Sequence, residues 1–305
     1  MLPYTDKDIK DILTTIITGV EFTIIPVGNR DIGRNLVYKV VIEGESRYIF
    51  KIYYSTKRRM REIELLELLR KSNVIVPKIV KYGEENSHEW ILMEYINGEL
   101  LERIYTHLDM NNQLLLFMQM GEELGKIHSF QKFDFIGDLN NKIRLDEYED
   151  YSINNIENSI EEIINQDLPD IELLMKGIKI LRDNYGFMCN IKESRLTHDD
   201  FEGRNILVTN TNGQYRVSAI IDFEKCYPQN CENDLANLYF KYFFDNKEYE
   251  KAFLNGYNKY MVVHSEFYEK LKFYLIHLVI ENCSWSYIRA NDYYTKNINF
   301  LKRLL

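Results

Sequence analysis

The residues of this 305-residue chain best suited to chemistry stand together in TH-DD-FEGRN, residues 197–205, which reads H-x-D-x-x-x-x-N through His198, Asp200 and Asn205. A little further on, IIDFE adds the carboxylate of Asp222. One carboxylate, Asp200, is placed to take the proton of an attacking hydroxyl. The amide oxygen of Asn205 and the carboxylate of Asp222 are hard oxygen donors of the kind Mg²⁺ takes, so the set is equipment for moving a phosphoryl group. The H-x-D-x₄-N spacing alone recurs by chance. Its setting gives it specificity, because RNILVTN (204–210) and YRVSAIID (215–222) are β-like runs joined by a Thr-Asn-Gly turn, a hairpin amid helical sequence.

The elements that must position these groups follow from hydrophobic periodicity. Residues 5–17 open on a Thr/Asp cap and carry Ile9, Ile12, Leu13 and Ile16 at helical spacing. EFTIIPV, LVYKVVI and RYIFKIYY then alternate with Gly-containing turns and read as an antiparallel meander. A helix over 57–69 follows, with strands expected in VIVPKIVKYG and EWILMEYI. Beyond Asn97-Gly98 the pattern is helical near 111–130, 154–166, 171–185, 232–244, 247–260 and 265–289. The expected organisation is α+β: a sheet lobe with one helix over 1–97, a hinge at 93–98, and a larger, mostly helical lobe over 98–305.

Composition narrows the function classes. The chain is 45% hydrophobic and 28% charged, which is ordinary globular usage, and its net charge of −9 argues against a generic nucleic-acid binder. No apolar run approaches a membrane span and the first residues do not resemble a leader, so we expect a cytoplasmic protein with no membrane partner, and a monomer. Cys189, Cys226, Cys231 and Cys283 form no C-x-x-C pair and are read as idle thiols. His88, His107, His264 and His277 have no partners at metal spacing. Gly28 and Gly33 in GNRDIGRN begin a G-x₄-G pattern, but Arg34-Asn35 stands where a P-loop needs Lys-Ser/Thr, so a hairpin turn over nucleotide phosphates fits better.

Along nearly its whole length the sequence resembles the aminoglycoside phosphotransferase and choline kinase-like enzymes, relatives of the protein kinases. The resemblance implies a protein-kinase-like fold, ATP or GTP with Mg²⁺, and a small-molecule acceptor. Lys51 in RYIFKIYY stands at the family's phosphate-gripping lysine, and Glu62 in RREIELLELL at its helical partner; Glu64 and Glu67 compete, but Leu66 and Leu69 at i+4 and i+7 favour Glu62. ILMEYINGE resembles the hinge, which implies that the backbone of Glu94 and Ile96 meets the base, with Met93 behind it. LGKIHSF and ENDLANL look like the helix end and the Asp-Leu-Ala stretch that braces the catalytic loop. His198 and His128 are read as structural, and Arg204 as a solvated loop residue.

Two positions depart from the common pattern: Asp199 stands where Gly is frequent, and Glu224 where protein kinases have the Gly of D-F-G. The spacing to Asn205 selects Asp200 over Asp199 as the base. No A-P-E segment follows, which disfavours a protein kinase. Residues 1–97 hold 15 Lys/Arg against 14 Asp/Glu, and the remainder 23 against 33, so an acidic acceptor region is expected. Its candidate lining is Asp199, Glu202, Glu224, Glu232, Glu281 and Trp285, and the expected acceptor is cationic, an aminoglycoside. A metabolic kinase of choline, ethanolamine or methylthioribose type, or a nucleotide-binding pseudo-enzyme, are the alternatives.

Overall fold

The structure is a computed structural model, and it describes residues 2–28, 35–189, 191 and 193–305. The chain divides into two compact units, one of residues 1–107 with 203–226 and one of residues 108–202 with 227–305. The first unit therefore extends ten residues past the break expected after residue 97, and it also takes back the hairpin segment from the later sequence. That return is made by hydrogen bonds: Val208 and Leu207 pair antiparallel with Glu99 and Leu100, and the Ile220 N–H donates to the Ile75 carbonyl at 3.0 Å.

The first unit begins with α1 (Asp6–Ile16), where Thr5 and Asp8 form a reciprocal capping box that satisfies otherwise orphaned amide groups. Then come β1 (Phe22–Val27), β2 (Leu36–Ile42), β3 (Glu45–Ile52), α2 (Arg58–Leu69), β4 (Ile79–Glu85) and β5 (His88–Glu94). The strands make one antiparallel sheet in the order β1-β2-β3-β5-β4. Period-two alternation sends Leu36, Tyr38, Val40, Phe50, Ile52, Trp90 and Leu92 into one core with Ile9 and Leu13 of α1. Lys51, between two of those core residues on the central strand β3, projects from the opposite face. The strand read from residue 74 starts only at Ile79, beyond Pro77, whose missing N–H cannot join a ladder.

The second unit is mainly helical: α3 (Met110–Ser129), α4 (Tyr148–Ile164), α5 (Ile171–Asp183), α6 (Glu232–Leu238), α7 (Lys247–Tyr257), α8 (Ser265–Arg289) and α9 (Asn291–Leu304). A π-helical turn, Tyr239–Phe243, continues α6. α3 and α7 cross with their backbones in contact at Gly121 and Gly256: a Cβ at either would strike a main-chain oxygen, Phe253 O or Met118 O. A three-stranded sheet joins Tyr227–Gln229, Ser194–Thr197 and Lys132–Phe133, and Phe135–Asp138 pairs with Asn141–Arg144. These two- to four-residue strands and α9 are absent from the sequence reading, and α4 begins six residues before its expected start. No helix among the described residues is long and apolar enough to cross a membrane.

Candidate active site

In the first unit the chemistry gathers around Lys51, which is 4% exposed. Its ammonium donates to Glu62 Oε2 at 2.8 Å and Asp222 Oδ1 at 2.7 Å, and lies 2.9 Å from Glu224 Oε2. Glu62 is the inward-facing carboxylate of α2, as its spacing to Leu66 and Leu69 predicts, and it is 1% exposed. It also accepts from the Tyr53 hydroxyl at 2.6 Å and the Phe223 N–H at 3.2 Å. Burial by itself pushes the lysine's pKa down, but Asp222 and Glu62 outweigh it and hold Lys51 well above its ordinary 10.5, so the ammonium stays charged. Burial raises the Glu62 carboxyl against the pull of Lys51.

Glu224, an expected acceptor residue, lies in this same cluster. Its carboxylate meets Lys51 and also takes the Arg58 guanidinium at 2.6 Å and the Asn35 amide. Burial would raise its pKa, yet Lys51 and Arg58 bring it down to about 2. A carboxylate neutralised in this way by two cations of its own unit is not an open anionic wall for an acceptor. Glu62, Asp222 and Glu224 offer oxygens within 4.8 Å of one another, and Lys51 supplies the cation they meet. Asp222 is the most open of the three, with 36% of its side chain exposed, and its φ of 67° puts it in the left-handed region. Asn205, 4% exposed, closes a single 3₁₀ turn, and its carbonyl accepts from the Ile221 N–H at 2.9 Å, which ties it to the residue before Asp222.

Among the remaining nucleotide-side candidates, Met93 is buried and Glu94 ends β5 with its N–H donating to the Lys78 carbonyl at 2.8 Å. Ile96 follows β5 outside any strand, Gly28 has φ +90°, and Gly33 lies outside the described residues.

In the second unit the loop bearing Asp200 hangs from Asp234 on α6. The fully buried Asp234 carboxylate accepts from the His198 N–H at 2.7 Å and the Asp199 N–H at 2.8 Å, and meets His128 Nε2 at 3.1 Å. His128 Nδ1 lies 2.7 Å from the Tyr257 hydroxyl, so one histidine joins α3, α6 and α7. Asp199 has φ 59°, the backbone setting that a glycine adopts without strain, and its side chain accepts from Gln229 Nε2 at 3.0 Å. Asp200 is half-buried beside it.

The expected acceptor carboxylates do not form one wall. Asp199 is bonded to Gln229. Glu202 pairs with Lys241 at 2.9 Å. Glu232 meets Lys270 at 3.6 Å and accepts from the Tyr274 hydroxyl at 2.5 Å. Glu281 is exposed on α8, and Trp285, half-buried, packs on Tyr293 at 5.8 Å between ring centres. No local sequence pattern marks Arg58, Tyr53, Tyr257 or Lys241, and nothing separates Arg58 from Arg59 and Arg61.

Comparison with known proteins gives this geometry a family. The chain is similar over 98% of its length, and 98% of the other chain, to the aminoglycoside phosphotransferase APH(4)-Ia, at 15% identity and a TM-score of 0.75. It is similar to the GDP and kanamycin complex of APH(2'')-IIIa over 97% of each chain, at 16% identity and a TM-score of 0.70. ADP-bound APH(2'')-Ib matches over 98% of each at 19% identity and a TM-score of 0.64. A curated relative, the KEOPS complex subunit Bud32 of Pyrococcus abyssi, is 32% identical over 72 residues, which span 24% of this chain and about a third of that protein. The structural likenesses show the protein-kinase-like fold, with its antiparallel sheet and larger helical part. Residues 31–273 match the model of the phosphotransferase enzyme family, and the chain belongs to that family.

Proposed function

We propose that this phosphotransferase moves the γ-phosphoryl group of ATP or GTP to a hydroxyl of a cationic small molecule, an aminoglycoside. The observation that carries the kinase reading is the buried Lys51 ammonium held between Glu62 and Asp222, a fixed positive charge set for phosphate oxygens. In this reading Lys51 neutralises the α- and β-phosphates, Glu62 positions Lys51, and Asp200 takes the acceptor's proton. Asn205 and Asp222 would hold Mg²⁺, which supplies charge neutralisation at the phosphates. The donor set fits that ion: an amide and a carboxylate are both oxygen ligands, and Asp222 has the exposure to reach one. The base would lie on Met93, Glu94 and Ile96. Because the Glu94 N–H is engaged by Lys78, Glu94 would contribute its carbonyl.

The acceptor class rests on the kanamycin complex among the similar structures. The deciding experiment measures nucleotide consumption by the purified protein against aminoglycosides, choline, ethanolamine and methylthioribose at two ionic strengths. Aminoglycosides are expected to be phosphorylated, with a KM that rises with salt. Asp200→Asn should lower turnover by about 10³-fold with Mg-nucleotide affinity kept, whereas Asp222→Ala should weaken Mg-nucleotide binding itself. Selective turnover of choline, ethanolamine or methylthioribose would replace the acceptor assignment by the metabolic one. Nucleotide binding with no turnover of any acceptor would establish a pseudo-enzyme.

A further inference from the structure

Glu202 stands two residues after Asp200 and is 8% exposed, yet its carboxylate is met by an ammonium of the same unit, Lys241, at 2.9 Å. Lys241 rises from the π-helical turn Tyr239–Phe243, an irregularity that recurs at functional sites. Its Nζ lies 5.3 Å from the centre of the Tyr293 ring and 5.8 Å from that of Phe240. Tyr293 in turn packs on Trp285, with ring centres 5.8 Å apart. One carboxylate with aromatic faces beside it is the chemistry that recognises an alkylammonium group. Here that site is built, and the protein's own lysine fills it.

We propose that Lys241 is a specificity-determining residue that occupies an ammonium subsite at Glu202, and that an amino group of the acceptor displaces it when the acceptor binds. The inference rests on the cationic-acceptor reading and adds the place where one ammonium is held. Its logic is competition. Lys241 lowers the apparent affinity of every amine that enters this subsite by the same factor, and an amine with no other contact has no further binding energy to offset that loss. A ligand must therefore bring more than one charge to bind well, which favours polyamines over a monoamine such as choline. Lys241 retains 19% side-chain exposure, which leaves the ammonium a path outward.

The two halves of the pair give opposite signs, and that separates competition from a structural role. Binding of kanamycin to the full chain with Mg-ADP is measured by calorimetry, alongside its KM in turnover. Lys241→Gln removes the competitor and should tighten kanamycin binding and lower its KM by about five-fold, while Lys241→Arg behaves as wild type. Glu202→Gln removes the site and should weaken kanamycin by about ten-fold or more. Affinity for Mg-ADP should be the same in all three. A pair that only held the fold would move both Gln variants in the same direction, and that result, or an unchanged affinity in Lys241→Gln, overturns the proposal. If Lys241→Gln does not fold, Glu202→Gln alone decides, since unchanged or tighter binding there excludes the subsite. Wild-type protein that phosphorylates and binds no aminoglycoside would overturn the acceptor reading together with this inference. Turnover with kanamycin affinities that do not respond to either substitution would sink the inference alone.

Discussion

Replacing Asp234 by alanine tests whether the loop that carries Asp200 is held by one buried carboxylate. Asp234 is fully buried and is the acceptor for two main-chain donors, the N–H groups of His198 and Asp199, at 2.7 and 2.8 Å. In Asp234→Ala both donors lose that partner away from water, at about 1–3 kcal/mol each, so about 2–6 kcal/mol of stability should be lost. His128 also loses the contact with Asp234 and keeps Tyr257. Asp234→Asn keeps one oxygen for one N–H and turns an NH₂ toward the other, so its loss should be about half as large. Guanidinium unfolding of the three proteins reads these losses as midpoint shifts at constant slope. Turnover should fall by about a hundredfold at 25 °C, where the folded state still dominates, because a base displaced by an ångström is badly aimed. A loss below about 1 kcal/mol for the alanine variant, or equal losses for alanine and asparagine, would refute this account of the loop.

Asp199→Gly should change the melting temperature little, because relief of the left-handed φ offsets the lost bond from Gln229, whereas Asp199→Ala keeps the strain and should cost about 1–2 kcal/mol. Glu224, held down to about 2 from its ordinary 4.5, contributes stability that is present above pH 4.5 and is lost as pH falls toward 2. Urea midpoints at pH 6 and pH 3 should therefore differ more for the natural protein than for Glu224→Gln. Gly121→Ala and Gly256→Ala each force α3 and α7 apart and should cost about 3 kcal/mol or more by thermal unfolding, against near neutrality for Gly186→Ala, where the added methyl meets open space.

The sheet and long helices were legible because their burial repeats with period 2 or 3.6 over many residues. The family resemblance marks Lys51 and Glu62, and Leu66 and Leu69, by fixing the buried face of the helix, separate Glu62 from Glu64 and Glu67. The short strands around residues 132–144 and 194–197 have too few residues to show a period, and tertiary hydrogen bonding alone makes them. A count of acidic residues predicted an open negative surface, but Glu224, Glu202 and Glu232 each meet a cation distant in sequence, and no local pattern announces such a partner. Asp199 departs from the glycine frequent at this position, and its φ of 59° shows what the departure means: the backbone turn is kept and an aspartate is made to adopt it.

The return of residues 203–226 to the first unit has a consequence for how the protein is made. A ribosome delivers residues 1–107 early, but Asp222 and Glu224, two of the three carboxylates around Lys51, leave it only after the whole stretch 108–202. At about 5–20 residues per second that interval is about 6–23 s. Throughout it the nascent sheet holds a lysine with Glu62 alone for a counter-ion and an Ile75 carbonyl still waiting for the Ile220 N–H. Maturation of the first unit is thus gated by translation, and a nascent chain stalled before residue 203 carries an unfinished sheet that is a natural client for chaperones.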